Sequence, residues 1–339
     1  MESAKLLNTD ASRAPRTAPS HMRALRIIAP RRAEVDKIAV PDPGPTQVRI
    51  RLEGCGICGS NLAVWQGRPW FDYPFPPGAP GHEGWGIIDA IGEAVQNVKP
   101  GQRVAFLSGH ALAEYDVADM ESVVLLPSTP AAFPGEALGC AVNIMRRSAI
   151  EKDHTIAVIG VGFIGALLVQ MASRLGARVI AISRRPFALK IARLCGAVET
   201  VQLDSIETVA ARLCEITGKA TCERVIEAVG EQQSLDLASA LTGERGRLII
   251  AGYHQDADRR INMQLWNWRG IDIVNAHERD PRIYIDGMRE AARSVDEGRL
   301  APSFLITHSF ALDQITQAFS ALQERPDGFL KAWVRTGGV

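Results

Sequence analysis

A thiol and an imidazole on glycine-flanked turns open the chemical possibilities of this chain. Cys58 lies in Gly56-Ile57-Cys58-Gly59-Ser60-Asn61, and 24 positions later comes Gly81-His82-Glu83. Thiolate sulfur and imidazole nitrogen are good zinc ligands, and glycine lets the backbone bend around an ion. A cysteine and a histidine this far apart are more often coincidence than a site, so their weight depends on the rest of the chain.

A second set of residues is built for a dinucleotide. The β-branched run Ile156–Ile159 meets Gly160-Val161-Gly162-Phe163-Ile164-Gly165 and then an apolar helical pattern, the strand, turn and helix order that the fingerprint requires. Gly160 permits the tight turn, Gly162 lets a pyrophosphate approach the backbone, and Gly165 lets the helix pack close to the strand. Unpaired N–H groups and the positive dipole end at the helix N-terminus then face the phosphates. The next strand, Arg178–Ile182, is followed by Ser183-Arg184-Arg185 where an NAD enzyme places an acidic residue. A hydroxyl and guanidinium groups bind a 2′-phosphate through charge-assisted hydrogen bonds, which predicts NADP(H) over NAD(H). The alternative is that both arginines are solvated loop charges.

The totals set the frame for these residues. A chain of 339 residues is long enough for two domains, and its 38 lysines plus arginines balance 38 aspartates plus glutamates. No basic field points to nucleic acid or an anionic membrane, and no apolar run is long enough to span a bilayer. Six irregularly spaced cysteines read as intracellular thiols, so the expected location is cytoplasmic. Residues 1–21 are polar and lack the apolar core of a secretory signal, and are read as a disordered tail or tag.

From Met22 to about Pro130, short strands alternate with Gly and Pro, for example Ala24–Ile28, Gln47–Glu53, Gly86–Ile91 and Arg103–Phe106, which predicts a mainly β unit. Strands at Ile156–Ile159, Arg178–Ile182, Glu199–Gln202, Arg224–Ala228, Arg247–Ala251 and Ile271–Val274 alternate with helices and predict a doubly wound parallel sheet. Helices over Tyr284–Glu297 and Leu312–Leu322 and strands at Phe304–Thr307 and Leu330–Val334 complete the chain.

GICGSN, GHEGWG, Val98-Lys99-Pro100-Gly101-Gln102-Arg103-Val104 and the fingerprint together resemble the medium-chain dehydrogenase/reductase superfamily, in its zinc-dependent alcohol and polyol (sorbitol/threonine-type) dehydrogenase branch. The resemblance implies an α/β chain: a GroES-like, mainly-β catalytic domain over 22–136 and 281–339, interrupted by a Rossmann domain over 137–280. It implies a catalytic zinc held by Cys58 and His82, with Glu83 able to reach the metal and a third ligand on the segment entering the cofactor domain. Counting back from Gly160 by the family's usual separation gives Glu136, and Cys140 is the competing candidate. Three protein ligands leave a position open for water or substrate. The family's second, structural zinc is not expected, because Arg103–Leu126 contains no cysteine.

The activity implied is reversible hydride transfer between NADP(H) and a secondary alcohol or ketone, with a polyol, sugar-like or aryl substrate and a homodimer or homotetramer as the assembly. Ser60 would relay the alcohol proton, and Ala63 replaces the family's usual shuttle histidine. Asn61 replaces the aspartate expected to orient the zinc-bound histidine, and would accept its imidazole N–H. By the same resemblance Ala228, Val229, Ala251 and Gly252 line the nicotinamide half of the cleft, and His277 ends the sixth strand at that edge. Trp65, Trp70, Phe71, Tyr73 and Trp85 are expected near the pocket, and Trp266–Ile273 on a dimer edge. The alternatives are a zinc-independent double-bond or quinone reductase of the same superfamily, or a non-catalytic cofactor-binding protein.

Overall fold

The computed structural model describes residues 18–127 and 131–337, so most of the polar N-terminal segment lies outside the described residues. Its last residues do not belong to a tail: Ser20 accepts a hydrogen bond from the Val40 N–H at 3.2 Å, and His21 pairs with Ala39 in the first strand pair. A polar composition there misled the reading, because alternate residues of this strand face solvent.

The first unit consists of β1 (His21–Ala29), β2 (Arg32–Ala39), β3 (Gln47–Ile57), α1 (Asn61–Gln66), β4 (Glu83–Ile91), β5 (Arg103–Phe106), β6 (Tyr115–Asp119) and β7 (Val123–Leu125). Then α2 (Gly135–Ser148) leads into β8 (Thr155–Ile159), α3 (Phe163–Arg174), β9 (Arg178–Ser183), α4 (Pro186–Leu194), β10 (Glu199–Gln202), α5 (Ile206–Thr217), β11 (Cys222–Glu227), α6 (Gln232–Leu241), β12 (Thr242–Ile250), α7 (Met263–Arg269) and β13 (Asp272–Asn275). The chain returns through α8 (Pro281–Asp296), β14 (His308–Ala311), α9 (Ile315–Glu324) and β15 (Ala332–Arg335).

The middle segment forms a six-stranded parallel sheet in the order β10-β9-β8-β11-β12-β13, which reverses direction at β8. Ligands of such sheets collect at that switch point, beyond the carboxyl ends of the strands. The strands are apolar on both faces because helices cover both: Ile156, Val158 and Val179 face one core, and Ile159, Ile180 and Ile182 the other.

The flanking segments share one sheet, β14-β15-β3-β4-β5-β7, with β6 also pairing β3. Two C-terminal readings change here. Phe304–Thr307 contains a short 3-10 turn, Ser303–Leu305, and the strand begins only at His308; α9 starts at Ile315 after another 3-10 turn. Short apolar runs do not separate strand from turn, and pairing with β15 decides the register.

The helices that join the units pack through small residues. A Cβ on Gly139 of α2 would stand 2.8 Å from Met288 Cγ, and one on Gly287 of α8 2.8 Å from Asn143 Oδ1. This close approach brings Glu136 and Cys140 of α2 beside Tyr284 of α8. Among the described residues, no helix is long and apolar enough to cross a membrane.

Candidate active site

Between the two sheets lies a cavity of about 1010 Å³. Cys58, Ser60, His82, Glu83 and Glu136 line it at one end, and Gly160–Gly165, Ser183–Arg185, Ala228, Val229, Ala251 and Gly252 line the rest. The nominated metal, proton-relay and cofactor residues therefore reach one space.

At the metal end, ligand atoms of Cys58, His82 and Glu83 lie within 4.8 Å of one another. β3 carries the chain to the turn that bears Cys58, and β4 begins at Glu83, immediately after His82. His82 Nδ1 lies 2.9 Å from the Pro80 carbonyl, which can only accept; Nδ1 therefore carries the proton, and the Nε2 lone pair is left for another partner. Asn61 does not take the expected role. Its side-chain oxygen accepts the Cys58 N–H at 3.0 Å and its amide donates to Pro80 at 3.2 Å, so it holds the cysteine turn instead of the imidazole.

Burial pushes the His82 imidazolium down, but the Cys58 sulfur beside it and the Glu136 and Glu83 carboxylates hold it up at about 10. At neutral pH a proton therefore sits on Nε2 as well, and a metal ion bound there would displace it. The Glu83 carboxylate is fully buried and is held by Lys331, whose Nζ lies 2.6 Å from Oε1 and equally close to Oε2. Only glycine fits at position 56, where a Cβ would stand 1.9 Å from that oxygen. Sulfur, nitrogen and carboxylate donors this close together form a set that fits zinc.

Glu136 sits in the first turn of α2, where the free N–H groups favour a carboxylate. Burial nevertheless pushes its pKa up, partly offset by His82. Cys140, one turn further, lies 3.5 Å from Glu136 Oε1 and 3.0 Å from the Tyr284 hydroxyl. Burial and then Glu136 push the Cys140 thiol well above its ordinary range.

The fingerprint glycines have the geometry their roles require. Gly160 has φ +93°, and a Cβ there would stand 2.5 Å from Val229 Cγ2. A Cβ on Gly162 would meet nothing within 4 Å, so that backbone is open to a ligand, while one on Gly165 would stand 1.9 Å from the Gly160 carbonyl oxygen. No side chain caps α3, so its first N–H groups remain for phosphate. Phe163 contributes backbone more than ring: its side chain is buried and lies 5.1 Å from Lys331 Nζ.

At the end of β11, buried Glu227 accepts the Val229 and Gly230 N–H groups at 2.7 and 2.8 Å. His254 Nε2 lies 3.0 Å from the same carboxylate, and Arg259 Nε donates to His254 Nδ1 at 2.7 Å. The ring therefore carries its proton on Nε2 and ties the loop after β12 to the end of β11. His277 stacks on Tyr253 with ring centroids 5.8 Å apart, and burial followed by Arg279 holds it below its ordinary pKa.

The aromatic cluster foreseen near the pocket is elsewhere. Trp65 stacks on Phe319 at 4.8 Å and Trp85 packs against Trp333, both in core positions; the aromatic rings at the cavity are Phe163, Tyr253, Tyr284 and Phe329. Sequence reasoning missed Lys331, Tyr284 and His254. For Lys331 a signal existed, a lone lysine in the apolar run Phe329-Leu330-Lys331-Ala332-Trp333.

Comparison with known proteins agrees with this architecture. Residues 44–149 match the alcohol dehydrogenase GroES-like domain, and residues 164–293 match the zinc-binding dehydrogenase domain. The chain belongs to the zinc-dependent alcohol and polyol dehydrogenase family. It is 26% identical to the D-arabitol-phosphate dehydrogenase of Enterococcus avium, covering 85% of this chain and 90% of that one. It is 25% identical to human sorbitol dehydrogenase, covering 89% and 92%. Among solved structures, a Sinorhizobium meliloti protein classed with the zinc-binding dehydrogenases and bound to NADP superimposes with a TM-score of 0.81 at 25% identity, over 94% of this dehydrogenase and 100% of that chain.

Proposed function

We propose that this dehydrogenase interconverts a secondary alcohol and a ketone with NADP(H), using one catalytic zinc held by Cys58, His82 and Glu136. The observation that carries this reading is the convergence of the Cys58 sulfur, the His82 imidazole and the Glu83 carboxylate, with Glu136 lining the same cavity that the fingerprint glycines open onto. Glu136 is preferred to Cys140 as third ligand because the Cys140 sulfur is already engaged by Glu136 and Tyr284. Glu83 stands in reserve, paired with Lys331.

Zinc, when bound, supplies Lewis acidity to the alcohol or carbonyl oxygen, and the nicotinamide supplies or accepts the hydride. The chain's own residues orient and exclude. Pro80 fixes the His82 tautomer, and the Cys58 turn is held by Asn61. Ser60, at the start of α1 with no capping hydrogen bond of its own, lines the cavity and is the hydroxyl placed to pass the alcohol proton. Ala63 continues no relay, so a proton taken up by Ser60 would need water or the ribose of a bound cofactor to carry it onward. The polar residues lining the cavity, including Arg68, Ser108 and Arg279, suit a polyol or sugar-like substrate better than an aryl one.

Two further assignments belong to this reading. The six cysteines are all unpaired, which fits the reducing cytoplasm. Strand β13 is an edge strand, and Trp268 nearby is 83% exposed, with Met263, Ile261 and Ile273 also exposed, which supports a homodimer or homotetramer formed on that edge. The test of the reading is zinc per chain in protein purified without chelators, followed by a screen of polyols and their ketones with NADP(H). A value near one, lost in Cys58→Ala, supports it; zinc that cannot be bound even when added would transfer the case to a zinc-independent reductase.

A further inference from the structure

Three residues were nominated from the sequence for the cofactor's 2′-phosphate, and two of them are already engaged. The Ser183 hydroxyl is buried and accepts the Arg185 N–H at 3.3 Å. Arg185 Nη1 donates to the Phe329 carbonyl at 2.6 Å, which straps the turn after β9 to the C-terminal unit. That leaves Arg184, whose partner is Glu231 at 3.4 Å, with both side chains more than half exposed.

The same strap delivers another guanidinium. Arg325 follows α9, four residues before Phe329, and lines the cavity with Arg184 and Arg185 from the opposite unit. Its φ is +47°, the left-handed conformation in which glycine ends a helix with least strain, so helix termination alone does not account for an arginine. After burial, Arg325 is what holds Arg185 below its ordinary range; Arg325 is itself lowered by burial and by Arg184, while Glu231 opposes the shift. Three guanidinium groups thus crowd one end of the cavity, a repulsion that a dianion placed among them would relieve.

We propose that Arg325 is a cofactor-specificity residue that, with Arg184, clamps the 2′-phosphate of NADP(H) from across the cleft, while Arg185 serves as the strap. The proposal rests on the NADP(H) reading above. Arg184 exchanges its weak pairing with Glu231 for charge-assisted bonds to phosphate oxygens, and Arg325 adds a second fork from the other unit.

The test is equilibrium binding of NADP⁺, NAD⁺, 2′,5′-ADP and 5′-AMP, by calorimetry, to the zinc-loaded full chain and to Arg325→Gly, Arg325→Lys and Arg184→Ala. Arg325→Gly suits the left-handed turn and should fold; it is expected to weaken NADP⁺ and 2′,5′-ADP by about tenfold or more, the usual loss for one charge-assisted contact, and to leave NAD⁺ and 5′-AMP unchanged. Arg325→Lys should retain part of the difference. Equal weakening of all four ligands would show a structural role and overturn the proposal. Unchanged NADP⁺ binding would overturn it while a parent preference for 2′,5′-ADP over 5′-AMP left the NADP(H) reading standing. A parent without that preference would overturn both.

Discussion

The two ends of the cavity are built on opposite principles. At the metal end the charges are buried: Lys331 and Glu83 side chains are 6% and 0% exposed and 2.6 Å apart. At the adenosine end the Arg184 and Glu231 side chains are 62% and 55% exposed and 3.4 Å apart. A buried pair is expensive to break, because the remaining charge has no water to turn to. An exposed pair contributes little and exchanges partners readily. On the proposed reading, chemistry sits where side chains cannot move, and cofactor choice sits where they can.

The largest effect should come from removing the sulfur at the rigid end. Cys58→Ala is expected to reduce zinc from about one per chain to near zero, and to lower kcat/KM on the order of a thousandfold, since a Lewis acid supplies several kcal/mol of charge stabilisation. Arg184→Ala should leave zinc content unchanged and reduce NADP⁺ affinity alone. Zinc loss in both variants would erase the contrast between the ends.

The contrast also has a stability form. Lys331→Met strands the buried Glu83 carboxylate and should destabilise the fold by about 3–5 kcal/mol, whereas Arg184→Ala should change it by less than about 1 kcal/mol. Urea unfolding of the two variants decides this, and adding Glu83→Gln to Lys331→Met should recover part of the loss. Similar losses for both single variants would mean that burial does not separate the two pairs.

The third ligand sharpens the picture within the rigid end. Glu136→Ala should lower zinc affinity by about tenfold or more, the scale on which even residues supporting ligands act, and Cys140→Ala by less. Competition with a chelator measures both, and the reverse order would assign the third position to Cys140.

What the sequence revealed follows the same division. Cys58, His82 and the glycines of the fingerprint were legible because geometry imposes fixed spacing on them: a turn with φ +93° at Gly160 and a Cβ 1.9 Å from a carbonyl oxygen at Gly165 tolerate little else. The parallel strands were legible as apolar runs because both faces of the sheet are covered. Tyr284 was not, since it gains its place only when α8 packs on α2, and the lone lysine, Lys331, showed its partner only once β15 paired with β3. The Asn61 reading failed for a related reason: the Pro80 carbonyl, a backbone group that residue types do not announce, lies nearer the imidazole.

A pH-dependent effect belongs to neither end but to Glu227, at the end of β11. Burial alone would raise its pKa, but the His254 Nε2–H, the Gly230 and Val229 N–H groups and the Ser234 hydroxyl outweigh it, and the carboxyl is held below its ordinary value of 4.5. A carboxyl depressed in the folded state stabilises the fold above its unfolded pKa, and that contribution fades as pH falls through the folded value. Glu227→Gln should therefore be less stable than the parent at neutral pH, by about 1–3 kcal/mol for the charged hydrogen bonds weakened. The gap should narrow below pH 4.5, as the parent carboxyl takes up its proton. Thermal unfolding of both proteins between neutral and acid pH reads the gap directly. A gap that stays constant or widens toward acid would mean that the charge on Glu227 is not what holds the loop after β12, and that its two backbone acceptor bonds suffice.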